Sequence, residues 1–351
     1  MRVSLPMLGP SPPEAPADFR RSQELRDAHG RVITDLRLSV TDRCNFRCTY
    51  CLEPGTKFLP RQELLHRDEY LRLVQAAVGV GIRTLRLTGG EPTLYPELDE
   101  LIKDLGQLEL DDMAMTTNGW SVTRDRSRRW LDAGLRRLTF SLDTLQEDRM
   151  QTITRSRTTV REVLDSIMTA RDSGFPRPKV NMVVMTDVNH DEVADFAALA
   201  RTHDLDVRFI EFMPLDSGRN WEAENVFTMK QVQQTIEKRW PLKRSSGDAP
   251  HSTSTNWLFA DDAPGKVGFI SPVSSPFCGA CNRLRVTAEG KIRPCLFSHA
   301  EWDVRPLLRR GLDESSLQEF LIDAAWNKPR GHDIGNAEFQ PPERTMSAIG
   351  G

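Results

Sequence analysis

The sequence predicts an α/β fold in which a partial (β/α)6 barrel is closed by a smaller C-terminal region. Three observations support this fold: β-rich runs alternate with amphipathic helical runs between residues 34 and 213, the rhythm stops after Pro214, and a hairpin pattern follows. Serial βα units imply parallel strands, and right-handed crossovers curl such a sheet into a full or partial barrel. A doubly wound open sheet is the alternative.

Six short runs are strand candidates, and helical patterns separate them. The strands are predicted at residues 35–40, 84–88, 113–117, 137–143, 179–184 and 206–213. Apolar residues recur near helical spacing in residues 67–80, 96–108, 159–174 and 191–203. Barrels of this kind build their sites at the carboxyl ends of the strands. We therefore expect chemistry in the residues that end or follow each strand.

The chain divides by composition into three parts. Residues 1–22 form a proline-rich extension predicted to be disordered, residues 23–213 the barrel, and residues 214–351 the C-terminal region. The first sixteen residues contain five prolines and lack the apolar stretch and cleavage site of a secretory signal. No apolar run approaches the roughly 20 residues of a membrane helix. We expect a cytoplasmic protein that does not span a membrane.

The C-terminal region contains one polar stretch and two strand patterns. Residues 243–265 are rich in Ser, Asp, Thr and Pro and are predicted to form a long loop. Residues 266–271 are predicted as a strand, and residues 283–293 as a hairpin that turns at Ala-Glu-Gly.

Overall charge gives no reason to expect nucleic acid or anionic lipid as a partner. Lys and Arg number 47 and Asp and Glu number 50, so the net charge is −3. Any anion-binding role must therefore be local.

All six cysteines fall into two triplets, which is typical of metal sites. They are Cys44, Cys48, Cys51, Cys278, Cys281 and Cys295. Disulfide frameworks belong to short secreted chains, so we do not favour disulfides. Three thiolates are unusual for zinc, whereas three cysteines can hold a four-iron cluster and leave one iron open. The second triplet alone leaves zinc and a cluster equally open, because His299 would complete a Cys3His set.

Arginines near the second triplet indicate an anion. Arg283 and Arg285 lie on one face of a predicted strand, and Arg293 follows on the next strand. Guanidinium groups suit phosphate oxygens, so a polyphosphate substrate fits. A solvated basic hairpin is the alternative. Arg86, within an otherwise apolar strand, also needs a partner to offset its burial.

The first triplet resembles in full the signature of the radical S-adenosylmethionine superfamily. Cys-x3-Cys-x2-Cys follows the first predicted strand, Tyr50 precedes the third cysteine, and "GGEP" (residues 89–92) follows the second strand. The resemblance implies a partial TIM-like barrel of the radical S-adenosylmethionine type. It also implies that the open iron binds the amino and carboxylate groups of S-adenosylmethionine, which one electron cleaves to a 5′-deoxyadenosyl radical. Without the cysteines, "GGEP" would be read as a tight strand-to-helix turn.

Both triplets together resemble the GTP 3′,8-cyclase family of molybdenum cofactor biosynthesis over residues 30–351. The segments that carry the resemblance are "DLRLSVTDRCNFRCTYC", "RLTGGEPTL", "TTNG", "SLD", "KVN", "IEFMPL", "FCGACNRLRVTAEGKIRPCLF" and "RTMSAIGG". Two departures are Leu52, where we expect methionine, and the proline-rich first sixteen residues. Neither puts the chemistry in doubt.

The resemblance implies a reaction. The first cluster cleaves S-adenosylmethionine, and the second, also a [4Fe-4S] cluster, anchors the purine of GTP. The radical removes the ribose 3′ hydrogen, and the carbon radical attacks C8 of guanine. The product, (8S)-3′,8-cyclo-7,8-dihydroguanosine 5′-triphosphate, goes to the enzyme that makes cyclic pyranopterin monophosphate. An electron donor is required, and the sequence leaves open whether the chain forms a homodimer.

Residue roles follow from the matching motifs. The two cysteine triplets would hold the two clusters. Contacts to S-adenosylmethionine are implied for Tyr50, Gly90, Ser141 and Met213, and Glu91 could pair with an ammonium group. Contacts to GTP are implied for Arg37, Arg86, Thr117, Lys179, Arg283, Leu284 and Arg285. The implied catalytic residues are Arg283, Arg285, Gly350 and Gly351. The two glycines form a tail that would thread into the active site; a frayed terminus is the alternative.

Two rival functions remain. One is a radical S-adenosylmethionine enzyme that modifies peptides or proteins, which would typically need more C-terminal cysteines. The other is a zinc-stabilised barrel that binds a nucleotide or a partner protein, which metal analysis would separate. His332 is expected to be a packing or surface residue.

Overall fold

The computed structural model describes residues 15–16, 19, 24–216, 218–219, 221–336 and 339–350. Most of the predicted proline-rich extension, and Gly351, lie outside these residues. Within them, no helix is both long and apolar enough to cross a membrane.

The described residues form one sheet of twelve strands. The strands are β1 (Asp35–Ser39), β2 (Thr84–Thr88), β3 (Asp112–Thr117), β4 (Arg137–Ser141), β5 (Lys179–Val184), β6 (Asp206–Glu211), β7 (Leu242–Arg244), β8 (Thr255–Phe259), β9 (Lys266–Ile270), β10 (Arg283–Val286), β11 (Lys291–Arg293) and β12 (Trp302–Asp303). Their order in the sheet is β12-β11-β10-β1-β2-β3-β4-β5-β6-β9-β8-β7. The strands from β10 through β9 in this order pair in parallel. A parallel sheet with helical crossovers confirms the predicted α/β class and partial barrel.

The described residues form ten α-helices, of which the first six connect β1 to β6 and the last three follow β12. They are α1 (Arg67–Gly79), α2 (Leu98–Leu105), α3 (Arg124–Asp132), α4 (Glu147–Thr154), α5 (Val160–Asp172), α6 (Val193–His203), α7 (Met229–Glu237), α8 (Arg305–Arg309), α9 (Glu314–Trp326) and α10 (Met346–Ile349). Local chemistry fixes where they begin. In α5, the Thr159 hydroxyl accepts from the Glu162 amide, and the Glu162 carboxylate accepts from the Thr159 amide. This capping box satisfies amides that the first turn would leave unpaired.

The strands bury apolar side chains on one face and polar side chains on the other. In β1, Leu36 and Leu38 are fully buried in the main hydrophobic core. The alternate residue Arg37 has the opposite orientation, since successive strand residues point to opposite faces. It is in register with Arg86 on β2 and with Arg285 on β10. Three guanidinium groups thus lie side by side across three adjacent strands.

The C-terminal region extends both edges of the barrel sheet. β10 adds in parallel to β1, and β9 adds in parallel to β6. The predicted hairpin is confirmed, because β10 and β11 pair antiparallel around residues 287–290. The domain boundary after residue 213 stays a prediction.

The long loop predicted at residues 243–265 is wrong in part. β7 ends there, and β8 (Thr255–Phe259) forms within it, pairing with β7 and β9. β8 contains Trp257, Leu258 and Phe259 within a longer polar stretch; Phe259 is buried and Trp257 packs against Phe269. The polar composition of the whole stretch therefore concealed a short run of residues that favour strands.

Candidate active site

A large cavity opens at the carboxyl ends of the parallel strands, and both cysteine triplets border it. Its volume is about 320 Å³, within the roughly 300–1,000 Å³ of ligand pockets. Cys44, Cys48, Cys51, Cys278, Cys281 and Cys295 all line it. All six are half-buried free thiols. The cavity therefore brings the two sets of thiols to one site.

The first triplet sits on a loop that follows β1 and is tied to α4. The amides of Arg47 and Thr49 donate to the carbonyls of Thr154 and Ile153 at 2.8 and 2.9 Å. Burial raises the pKa of Cys44 to about 11 and that of Cys51 to about 12. Bare thiols are therefore neutral here, and a bound cation must favour the thiolates that ligate metal.

Gly89 and Gly90 bring the second strand's loop against the cysteine loop. A β-carbon on Gly90 would collide with the backbone carbonyl of Arg43, and one on Gly89 with that of Thr41. The Gly90 amide donates to the Thr41 carbonyl at 2.8 Å. The close approach that requires glycine is thus to the protein's own loop, although Gly90 also borders the cavity.

Glu91 has a carboxylate that the protein already uses. Oε1 accepts from the Thr93 amide at 3.0 Å and from the hydroxyls of Thr93 and Thr117 at 2.7 Å. Oε2 accepts from the Asn118 amide at 2.7 Å. These bonds join the ends of β2 and β3. The predicted pairing of Glu91 with an ammonium group stays a prediction. Thr117 is predicted to contact GTP, and its hydroxyl donates to Glu91 in this structure.

Tyr50 is held by Asp143, a residue that the sequence analysis did not single out. The Tyr50 hydroxyl donates to Asp143 Oδ2 at 2.7 Å, and the Val183 amide donates to Oδ1 at 2.8 Å. Burial raises the pKa of Asp143 to about 6. Ser141 and Met213 also border the cavity, so the four residues predicted to contact S-adenosylmethionine share its wall.

The second triplet has a different electrostatic environment. Arg283 donates from Nε and Nη2 to the Cys281 sulfur at 3.3 and 3.2 Å. Burial alone would raise the pKa of Cys281, but the charges of Arg283 and Lys328 outweigh it and lower the pKa to about 6. His299 is exposed and contacts the Gln340 carbonyl instead of the cavity. The Cys3His zinc alternative therefore lacks its fourth ligand.

The arginine row forms a second wall of the cavity. Burial, followed by neighbouring guanidinium groups, lowers the pKa of Arg37 and of Arg86 to about 9. It likewise lowers the pKa of Arg285 to about 10. All three remain protonated at neutral pH, and the buried Nε atoms of Arg37 and Arg86 have no hydrogen-bond partner among the described residues. Crowded cations with free donors fit an anionic ligand.

Three predicted anion contacts do not reach the cavity wall. Lys179, at the start of β5, is not among the residues that line it. The Leu284 side chain packs in the hydrophobic core, on the opposite face of the strand from Arg283 and Arg285, and its predicted contact with GTP stays a prediction. Arg293 is occupied by Glu301 and the Ser298 carbonyl.

The C-terminal tail enters the same region. Arg285 Nη1 donates to the Gly350 carbonyl at 2.9 Å, and Gly350 is buried near the side chains of Ser39 and Thr88. Arg344 holds the tail through ion pairs with Glu289 and Glu301. Gly351 lies outside the described residues, and its predicted role stays a prediction.

Comparisons with known proteins show which family the chain belongs to. The chain matches the Radical SAM superfamily over residues 38–200 and Molybdenum Cofactor Synthesis C over residues 205–334. It is 44% identical over 330 residues to GTP 3′,8-cyclase 2 of Pseudomonas aeruginosa, covering 93% of this chain and 98% of that protein. It is 41% identical to GTP 3′,8-cyclase of Streptomyces coelicolor, covering 93% and 96%. The chain belongs to the GTP 3′,8-cyclase family.

Solved structures similar to this family member show the fold alone. The Streptococcus suis enzyme SuiB bound to its precursor peptide SuiA has a TM-score of 0.61 at 12% identity, covering 95% of this chain and 72% of that one. The protein anSMEcpe with bound AdoMet has a TM-score of 0.60 at 12% identity, covering 86% and 79%. Both support the partial barrel of the radical S-adenosylmethionine type.

The residues of this GTP 3′,8-cyclase fit the cofactors of the family, two [4Fe-4S] clusters and S-adenosylmethionine. Each triplet offers three free thiols on the cavity wall. Within the described residues, no three Cys, His, Asp or Glu side chains are grouped to hold a single ion. Asn181, which borders the cavity, has a buried Oδ1 with no hydrogen-bond partner among the described residues.

Sequence reasoning missed several residues of the cavity wall in this family member. They are Asp143, Asn181, Arg208, Lys328 and His332. His332, expected to be a packing or surface residue, does pack on Phe297 but also borders the cavity. Asn181 ends the segment "KVN" that carries the resemblance, and the alternation of polar and apolar residues in β5 and β6 could also have indicated Asn181 and Arg208.

Proposed function

We infer that this chain is a GTP 3′,8-cyclase, a lyase that converts GTP to (8S)-3′,8-cyclo-7,8-dihydroguanosine 5′-triphosphate in the first step of molybdenum cofactor biosynthesis. One observation carries the inference. Both cysteine triplets border the cavity that the inward-facing arginines Arg37, Arg86 and Arg285 also line. A barrel that only bound a nucleotide would need the arginines but not the two sets of thiols.

Different residues of the chain have different roles within the cavity. Cys44, Cys48 and Cys51 would hold the first cluster, and Cys278, Cys281 and Cys295 the second. When bound, the first cluster and S-adenosylmethionine supply the one-electron radical chemistry that the protein cannot supply itself. Tyr50, Gly90, Ser141 and Met213 would hold S-adenosylmethionine between the cysteine loop and the strand ends.

The arginines position the substrate. Arg37, Arg86 and Arg285 would bind the anionic part of GTP, because its charge would offset the repulsion among them. Arg283, beside Cys281, would contact GTP near the second cluster. This arrangement holds the ribose and the base in one place, so that C3′ and C8 of one molecule can be joined. Arg285 also holds the tail carbonyl, which would fix the tail beside the reacting ribose.

Partners and location are further proposals. The chemistry requires a one-electron donor, and the product must pass to a separate enzyme that makes cyclic pyranopterin monophosphate. We propose that the enzyme works in the reducing cytoplasm, as six free thiols bordering one cavity would require. We propose a homodimer as an oligomeric state to be tested. The unit boundary after residue 213 is likewise a proposal, supported by the end of the βα alternation.

The experiment is an anaerobic assay of reconstituted protein with S-adenosylmethionine, dithionite and GTP, in which 5′-deoxyadenosine and the guanine product are followed. Wild type should contain about eight irons per chain, and Cys281→Ala and Cys48→Ala about four each. Wild type should couple 5′-deoxyadenosine to a cyclised GTP product, and neither variant should form that product. Wild type that makes 5′-deoxyadenosine but leaves GTP untouched would show that the substrate is another molecule. Zinc without iron would favour the binding-protein alternative.

A further inference from the structure

Lys328, just after α9, is a buried cation that the proposed reaction does not use. It is 3% exposed, and no carboxylate among the described residues forms an ion pair with it. Lysine is almost never fully buried unless its charge is paired, because desolvation of the ammonium is costly. The position of this ammonium group therefore requires an explanation.

The ammonium group binds two backbone carbonyls next to the second triplet. Lys328 Nζ donates to the carbonyl of Arg283 at 2.7 Å and to that of Pro294. Arg283 lies two residues after Cys281, and Pro294 immediately precedes Cys295. One side chain thus joins the start of β10 to the segment after β11, which are the two places where these cysteines sit.

Arg31 connects the third cysteine to the same lysine. Its Nη1 donates to the Cys278 carbonyl at 2.7 Å and to the Arg330 carbonyl at 3.0 Å, and its Nη2 donates to the Pro329 carbonyl at 2.5 Å. Arg31 is itself fixed by an ion pair with the buried carboxylate of Asp27 at 2.5 Å. All three cysteine-bearing segments are therefore attached to one small group of cations.

The charge of this group suits what the cysteines would carry. A four-iron cluster held by three thiolates is anionic when its metal core carries two positive charges. Lys328 borders the cavity together with Cys281 and Cys295, so its ammonium lies where that negative charge would be buried. Only two of its three N–H donors are used by the carbonyls.

We propose that Lys328, held in place by Arg31, is a positioning residue of the second cluster. It fixes the backbone that carries Cys281 and Cys295, and its charge offsets the charge of the bound cluster. This proposal rests on the proposed function only in taking the second triplet to be a cluster site. A contact between Lys328 and GTP is the competing role, since the residue borders the cavity.

The test separates the clusters from each other and from turnover. Lys328→Met and Lys328→Arg are made in a background in which Cys44, Cys48 and Cys51 are all alanine, so that only the second cluster assembles. Iron and sulfide are counted after anaerobic reconstitution, the reduced cluster is examined by electron paramagnetic resonance, and iron release to a chelator is timed. Lys291→Met, which removes a charge paired with Asp303 on the same hairpin, is the matched control.

Lys328→Met should bind about four irons poorly or release them roughly 10–100-fold faster than the parent, as loss of residues that orient metal ligands typically does. Lys328→Arg should retain much of the cluster, and Lys291→Met all of it. In the complementary background, with Cys278, Cys281 and Cys295 replaced by alanine, Lys328→Met should assemble the first cluster normally. Arg31→Met should weaken the second cluster in the same direction.

Three results would overturn the proposal. An unchanged second cluster in Lys328→Met, with only weaker GTP binding, would assign the lysine to the substrate. Loss of both clusters would show a general folding role. If Lys328→Arg and Lys291→Met lost the second cluster as Lys328→Met does, neither the charge nor the position of Lys328 would matter specifically. Because none of these readouts uses GTP turnover, a failure of the proposed reaction would be seen separately.

Discussion

Arg285 donates a hydrogen bond from Nη1 to the backbone carbonyl oxygen of Gly350 at 2.9 Å. This bond joins the hairpin of the second triplet to the C-terminal tail, at the β10 end of the arginine row. Gly350 has a φ of +79°, a left-handed conformation. The tail can take this shape only because the residue has no side chain, as a β-carbon would collide with the Ser39 hydroxyl.

Gly350→Ala should therefore lower the rate of GTP cyclisation by about tenfold or more. The left-handed backbone alone costs about 1–2 kcal/mol for a residue with a side chain, and the collision with Ser39 adds to it. The measurement is the rate of cyclised product in the anaerobic assay. Adding Ser39→Ala to Gly350→Ala should restore part of the rate, and Ala348→Ser is the control. Full activity of Gly350→Ala would mean that the tail does not take part.

Arg344→Gln should release the tail without disturbing the barrel. Arg344 pairs with both Glu289 and Glu301 and is 27% exposed, so its loss removes charge-assisted bonds worth about 1.5–3 kcal/mol. Hydrogen exchange of the amides at residues 346–350 should become faster by about tenfold or more, and product formation should fall. Arg129→Gln, which breaks pairs of a more exposed arginine, should leave both unchanged. Unaltered exchange in Arg344→Gln would show that other contacts hold the tail.

Lys179 should take up a proton when GTP binds at alkaline pH. Burial, followed by the charges of Arg208 and Arg137, lowers the pKa of Lys179 to about 7. The free side chain is thus mostly neutral at pH 8, and a nearby triphosphate would raise its pKa. Binding should then take up about one proton at pH 8, and affinity should fall by up to about tenfold per pH unit above 7.

Calorimetry in buffers of different ionisation enthalpy measures this uptake. Lys179→Met should abolish it, and Lys243→Met on the exposed surface should not. Lys179 does not border the cavity. Proton uptake by Lys179 would therefore show that the charge of the bound triphosphate acts beyond the cavity wall. Equal proton uptake by wild type and Lys179→Met would place the triphosphate away from β5.

The sequence predicted the barrel strands well but described the C-terminal half less well. The run at β2 was placed at its observed limits because apolar and polar residues alternate there between clear turns. β8 was missed because its strand-favouring residues, Thr255, Trp257 and Phe259, lie within a longer polar stretch. The attachment of β10 to β1 is a contact between residues some 250 positions apart, as in the register of Asp35 with Arg283. Local sequence patterns cannot predict such a pairing.

The candidate site likewise contains residues that the sequence could identify and residues that it could not. The cysteines and the arginine row could be found from spacing and from cations in apolar strands. Lys328 could not, because its role depends on which distant backbone carbonyls it meets. The quoted segment "SLD" includes Asp143, but its contact with the Tyr50 hydroxyl could not be predicted from the sequence. Leu284 was predicted only because a motif includes it, and alternation along the strand places its side chain on the opposite face from Arg283.

Glu91→Gln should weaken the fold itself, and this separates two roles for the carboxylate. Glu91 is 1% exposed and accepts four hydrogen bonds, from Thr93, Thr117 and Asn118. A glutamine keeps one oxygen but turns an NH2 group toward donors, so the free energy of unfolding should fall by about 1–3 kcal/mol. Urea unfolding under anaerobic conditions measures this loss, with the exposed Glu100→Gln as control. Binding of S-adenosylmethionine is measured on the same proteins. If Glu91→Gln unfolds like wild type but binds S-adenosylmethionine much more weakly, the carboxylate serves the ligand's ammonium group and its contacts to β3 are secondary.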